Sequence, residues 1–246
     1  MTTSDQDLDA SFRELNLLRM AEISRDVLRR CQDGKWSYKR LLAELIAEEK
    51  SYRKERILKT RIEKATLPEK WTLETYPFHL QPGVDRTQFQ QLAELDFIKQ
   101  GMNLVLIGTT GVGKTGLATS LLMKALLNGH TGAMQKAQDL LDDLHRSIAD
   151  RKTRYLLNRY SKFDLLAIDE LGYLCLNADQ ANLFFKLMDN RYSTKKSTII
   201  TTNLGYDAWG QHLGNPAMVE ALLSRLKQRC VTILINGTDL RTAPQQ

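Results

Sequence analysis

The sequence predicts an α/β protein, a parallel sheet held between helices in three α/β/α layers and preceded by a small all-helical domain. Three observations carry this. Beyond residue 100, short unbroken apolar runs alternate with longer amphipathic ones, the pattern of strands buried on both faces and joined by crossover helices. The first seventy residues instead repeat their apolar positions near the 3.6-residue helical period. Between a strand-like run and a helix-like run stands a glycine-rich loop ending in Lys-Thr, a junction that belongs on an α/β scaffold. Composition agrees: of 246 residues, 42% are hydrophobic and 26% charged, which excludes disordered, collagen-like and disulfide-scaffold classes.

In the helical domain, expected over residues 1–67, Phe12, Leu15, Leu18, Ile23, Val27 and Leu28 trace one helix that Asp33-Gly34 ends. Ser37 is placed to cap a second helix, which carries Tyr38, Leu41, Leu42, Leu45 and Ile46 and runs on to Leu67-Pro68, where proline stops it. Its later part holds Lys50, Arg53, Lys54, Arg56, Lys59, Arg61 and Lys64 against Glu55 and Glu63, in a chain whose formal net charge is +6. Such a stretch is either a solvated helix face or a contact for an anionic partner. Residues 68–100 are expected to be a linker and the start of the second domain, with Trp71, Tyr76 and Phe78 set among turn formers. From 101 to 246, the runs 102–107, 163–168, 197–202 and 231–235 read as buried strands, and 132–135 as a weaker one. No apolar run reaches the roughly 18 to 20 residues of a membrane span, so no membrane partner is expected. The acidic, polar N-terminus lacks the basic-then-apolar order of a signal peptide, and the expected location is cytoplasmic. Cys31, Cys175 and Cys230, odd in number and widely spaced, indicate neither a disulfide framework nor a zinc site.

The chemistry centres on Gly108-Thr109-Thr110-Gly111-Val112-Gly113-Lys114-Thr115, a full GxxxxGK[ST] P-loop. A strand leads into it and a helix leaves it, so backbone N–H groups and the helix N-terminus converge on phosphate oxygens. Lys114 would meet the β and γ phosphates of ATP, and Thr115 would ligate Mg²⁺. Asp169-Glu170 ends a buried apolar run. Such a pair can be a mere helix cap, but after a P-loop Asp169 would hold Mg²⁺ from its outer shell and Glu170 would polarise the attacking water. Asn203 closes the strand Thr201-Thr202-Asn203. It is either a turn former or, if that strand lies beside the P-loop strand, a group that positions water at the γ-phosphate.

This order of P-loop, Asp-Glu strand, Thr-Thr-Asn strand and late Ser-Arg helix resembles the AAA+ ATPases, and in detail the IstB family of insertion-sequence helper ATPases. The DnaC helicase loaders are more distantly similar. The narrower likeness rests on Trp36-Ser37-Tyr38 with Leu41-Leu42-Ala43-Glu44-Leu45, on Asp169-Glu170-Leu171-Gly172-Tyr173-Leu174, and on Tyr206-Asp207-Ala208-Trp209-Gly210 with Ala221-Leu222-Leu223-Ser224-Arg225-Leu226. It spans roughly residues 12 to 241. The resemblance implies a P-loop AAA+ core that hydrolyses ATP to ADP and phosphate. It further implies a homo-oligomer on duplex DNA, and promotion of target selection by a cognate, IstA-like transposase. Arg225 falls at the family's arginine-finger position, reaching a neighbouring subunit's nucleotide; its plain alternative is a surface arginine paired with an acid. Gly116 stands where the family usually has His, loosening the helix start without removing a phosphate contact. Gly237-Thr238-Asp239-Leu240-Arg241 replaces a commoner Gly-Glu-Ser-Tyr-Arg, with Arg241 the candidate second sensor, and no C-terminal helical lid domain is expected. A helicase loader gripping a protein partner is the alternative. A small-molecule P-loop kinase suits the Asp-Glu pair and Arg225 less well.

Overall fold

The structure is a computed structural model that describes residues 5–68, 71–172, 176–214 and 216–240. The chain divides into two compact units, residues 1–60 and 61–246. The first contains α1 (Asp5–Glu14), α2 (Leu18–Asp33) and most of α3 (Tyr38–Lys64). The single helix expected before Gly34 is two helices, because Asn16 takes a left-handed φ of 56° and turns the chain between them. The apolar period persists across the break, since Phe12, Leu17 and Ile23 pack on the same small core of Met20, Val27 and Leu45. Asp9 ties α1 to α2 by accepting hydrogen bonds from Ser24 Oγ at 2.8 Å and Arg25 Nη2 at 2.6 Å. Ser37 does cap α3, its hydroxyl accepting the Arg40 N–H at 3.3 Å. Glu49, 4% exposed, accepts the N–H groups of Arg19 and Met20 in the first turn of α2, where the helix dipole favours a carboxylate.

In the second unit the chain after α3 packs as α4 (Arg86–Leu92) and α5 (Asp96–Lys99) with Tyr76, Phe89 and Phe97 buried. Five strands follow: β1 (Asn103–Gly108), β2 (Gly132–Lys136), β3 (Leu165–Leu171), β4 (Ser197–Thr202) and β5 (Cys230–Ile235). All pair in parallel, in the order β2-β3-β4-β1-β5. The weaker run thus forms an edge strand, and β3 extends past both carboxylates to Leu171. The crossovers are α6 (Lys114–Leu127), α7 (Ala137–Ala149), α8 (Thr153–Lys162), α9 (Ala178–Ser193), α10 (Tyr206–His212) and α11 (Pro216–Gln228).

Alternation along the strands fills two cores. Leu104, Leu106, Ala167 and Ile199 meet α6 and the 76–98 segment on one face. Val105, Leu166, Ile168 and Ile200 meet α7, α8, α9 and α11 on the other, which makes the three layers. At the strands' entry edge Asp164 accepts from Thr131 N and Oγ1, both at 2.8 Å, and from Lys196 Nζ at 2.7 Å. Burial alone would raise its carboxyl, but these donors outweigh burial and bring it down to about 2. The buried Arg191 of α9 donates to Thr198 Oγ1 and to the carbonyls of Tyr160, Phe163 and Ser197. Both clamps anchor the end of the sheet opposite the P-loop.

Candidate functional site

The P-loop sits where β1 ends and α6 begins. Gly111 (φ 84°) and Gly113 (φ 87°) lie in the left-handed region that glycine enters without Cβ strain, the conformation that turns successive N–H groups into an anion nest. Space is equally restrictive, since a Cβ on Gly111 would lie 2.0 Å from Asp239 Oδ1 and one on Gly113 2.5 Å from the Tyr76 hydroxyl. Lys114 folds back over the loop, donating to the carbonyls of Gly108 at 2.8 Å and Thr109 at 2.7 Å. Thr109 and Thr110 are exposed, Val112 is buried in the core below, and Gly116 is buried as the third residue of α6.

Thr115 Oγ1 lies 3.0 and 3.1 Å from the two carboxylate oxygens of Asp169, so the two halves of the site meet although 54 residues separate them. Thr201 of β4 donates to the same carboxylate. Burial pushes the Asp169 carboxyl up, and the neighbouring Glu170 charge adds to this; the Thr201 and Thr115 hydroxyls and Lys136 pull it down without reversing it. A buried carboxylate beside a hydroxyl is a hard oxygen pair that a divalent cation would stabilise. The Thr115 hydroxyl, with phosphate oxygens and waters, would ligate Mg²⁺ directly, and the Asp169 carboxylate would hold the ion from the outer shell through those waters. Among the described residues no group of three or more His, Cys, Asp or Glu is placed to hold a metal ion. Glu170, with its side chain 45% exposed, points to Lys136 Nζ at 3.5 Å.

Thr202 pairs in register with Ile107, which puts Asn203 one residue further on, at the level of Gly108 and exposed at the same sheet edge. The condition for its role, β4 beside β1, is met. Arg225 is not in this group. It projects from α11, bonded to Asp189 of α9, and lines a cleft with Asn103 and Thr198 near the opposite ends of β1 and β4. Arg241 lies outside the described residues. Sequence reasoning missed three neighbours of the loop. Lys136 stood at the end of a run read as weak, and Thr201 was hidden inside a strand pattern. The segment at 236–240 reaches the loop, where Leu240 N donates to Gly111 O at 3.0 Å and Gln81 Nε2 donates to Thr238 O.

Comparison with known proteins bears on the family and the fold. The relative named as the ATP-binding protein of insertion sequence IS232, from Bacillus thuringiensis subsp. berliner, is 32% identical over 98% of this chain and 96% of its own. That of insertion sequence IS21 from Pseudomonas aeruginosa is 34% identical over 92% of this chain and 86% of its own. Among solved structures, the DnaC helicase loader superposes with a TM-score of 0.57 at 23% identity, covering 67% of this chain and 96% of that one. DnaA bound to AMPPCP and single-stranded DNA gives a TM-score of 0.60 at 18% identity, covering 70% of this chain and 52% of that one. Likenesses at this identity are of fold, the AAA+ α/β/α core. Among the described residues no helix is long and apolar enough to cross a membrane. Residues 10–246 match the family described as IstB-like ATP binding protein, and the chain belongs to that family.

Proposed function

We propose that the protein hydrolyses ATP at sites shared between adjacent copies assembled on duplex DNA, and so assists an IstA-like transposase. The observation that carries the reading is the separation of parts. Thr115, Asp169 and Glu170 stand at one end of the sheet, while Arg225 stands near the other. The six residues of β1 span about 17 Å at about 3.3 Å per residue, further than an arginine reaches to its own P-loop. In this reading Arg225, on the rim of an apolar cleft and paired with Asp189 in the isolated chain, leaves that pair to meet the nucleotide of a neighbouring copy.

In this reading the loop amides and Lys114 bind the β and γ phosphates, and Thr115 and Asp169 hold Mg²⁺. When bound, the ion neutralises charge on the phosphate oxygens. Glu170 takes a proton from water as its oxygen attacks the γ-phosphorus. The bond to the β–γ bridging oxygen breaks, and ADP and phosphate leave. Asn203 orients the water, and Arg225 from the next copy stabilises the charge on the transferring group.

Two basic surfaces support a DNA partner. On α3, Lys50, Lys54, Arg56 and Lys59 are exposed, whereas Arg53 is engaged by Glu49 and by the Asn16 carbonyl. From the end of α7 through α8, Arg146, Arg151, Lys152, Arg154, Arg159 and Lys162 are exposed with Asp150 the lone acid among them, and Tyr155 stands out between them. Contacts of this kind address the phosphate backbone rather than base edges. The relatives' place in insertion sequences supports the transposase partner. Phosphate release with and without duplex DNA, for the parent and for Arg225→Ala, tests the reading. DNA should stimulate the parent, and Arg225→Ala should bind ATP yet lose the stimulated rate by about 10³-fold or more. Equal stimulated rates in both proteins would remove Arg225 from the reaction.

A further inference from the structure

The alternation of side chains along β3 breaks at the carboxylate pair. Leu166 and Ile168 fill one core and Leu165 and Ala167 the other, so strict period-two geometry would return residue 170 to the first core; Leu171 fills it instead. The register agrees. Ile168 pairs with Ile200 and Leu171 with Thr202, so three steps along β3 match two along β4. This is a bulge, of the kind that re-aims a side chain beside a reaction site. Glu170 is at its centre, with a left-handed φ of 60° that is uncommon for a non-glycine residue and here falls inside a strand.

The fixing group is the Thr201 hydroxyl. The Glu170 N–H donates at 2.9 Å to Thr201 Oγ1. The same hydroxyl donates its proton to Asp169 Oδ1. Thr201 is 1% exposed. A hydroxyl with one proton and an accepting lone pair can serve both partners at once, and here both directions are assigned by chemistry, since a backbone N–H only donates and a carboxylate only accepts. We propose that Thr201 is a positioning residue for hydrolysis: its one hydroxyl fixes the Asp169 carboxylate toward Thr115 and pins the bulge that swings Glu170 out of the core. Two carboxylates adjacent in sequence thereby take separate tasks. The inference rests on the ATPase reading above for its consequence, though the pin itself does not depend on that reading.

Thr201→Val keeps shape and strand preference but strands the Glu170 N–H, and Thr201→Ser keeps the hydroxyl. In the full chain on duplex DNA, Thr201→Val should bind ATP within about threefold of the parent while kcat falls about 10- to 100-fold, the usual effect of losing a group that orients a metal-binding carboxylate. Thr201→Ser should recover most of kcat. Hydrogen exchange at the Glu170 amide should quicken in Thr201→Val and stay slow in the parent and in Thr201→Ser. A parental kcat in Thr201→Val, an equal loss in both variants, or unchanged exchange in Thr201→Val would each overturn the proposal. If the parent released no phosphate, the ATPase reading would fail while the exchange comparison still judged the pin.

Discussion

Lys114 and Glu170 share one sheet edge but meet different stages of the proposed reaction. The lysine faces phosphate already in the ground state, whereas the glutamate acts on water as the bond to phosphorus forms. Lys114→Ala should therefore lose triphosphate binding, measured by titration with a fluorescent ATP analogue. Glu170→Gln should bind the analogue as the parent does, with turnover down by about 10²- to 10⁴-fold. A Glu170→Gln protein with parental turnover would make another group the base. At this scale the P-loop was legible because its glycines answer a backbone demand that few sequences meet by chance: positive φ at Gly111 and Gly113. Thr201 was illegible for the opposite reason. A threonine in a strand satisfies β propensity on its own, so nothing in the sequence marks its hydroxyl as taken.

Among the elements, the clamp at Asp164 joins the start of β3 to the residue before β2 and to Lys196, the residue before β4. Asp164→Asn should lower stability by about 1–2 kcal/mol at neutral pH, as charged hydrogen bonds commonly do. The pH dependence follows from the direction of the shift. The native carboxyl is depressed to about 2 from an ordinary 3.8, so its contribution is full above the unfolded value and fades as pH falls through the native one. Urea midpoints of parent and variant should differ most at pH 5 to 7 and converge at lower pH; a gap independent of pH would deny the ionised clamp. Strand cores were legible at this scale, since apolar runs mark burial on both faces. Two helical features were not. The break at Asn16 leaves the apolar period intact, and α4 begins at an Asp85 cap amid prolines and glycine that announce only a linker.

For the whole molecule, phosphate contacts from two surfaces should make DNA binding tolerant of sequence and steep in salt. Replacing Lys54, Arg56 and Lys59 by Ala should flatten the slope of log affinity against log salt by up to about 2.7, at about 0.9 per lost contact. Replacing Arg151, Arg154 and Arg159 should do the same independently. An unchanged slope for either set would make that surface a solvated face. Arg53 is left out of the first set because its loss would also unpair the buried Glu49. The sequence announced the α3 surface by a dense stretch of basic residues, while the α8 surface emerged only once the fold put its cations on exposed positions.

The central claim is that each ATP site draws residues from two copies, and mixing two inactive proteins tests it most directly. Arg225→Ala keeps its P-loop and Glu170, and Glu170→Gln keeps its Arg225. Each alone should be inactive on duplex DNA. In an equal mixture, a head-to-tail interface pairs an intact P-loop side with an intact arginine side about one time in four, so the rate should recover to about a quarter of the parent's. A mixture as inactive as its components, or an Arg225→Ala protein that is active alone, would contradict a shared site.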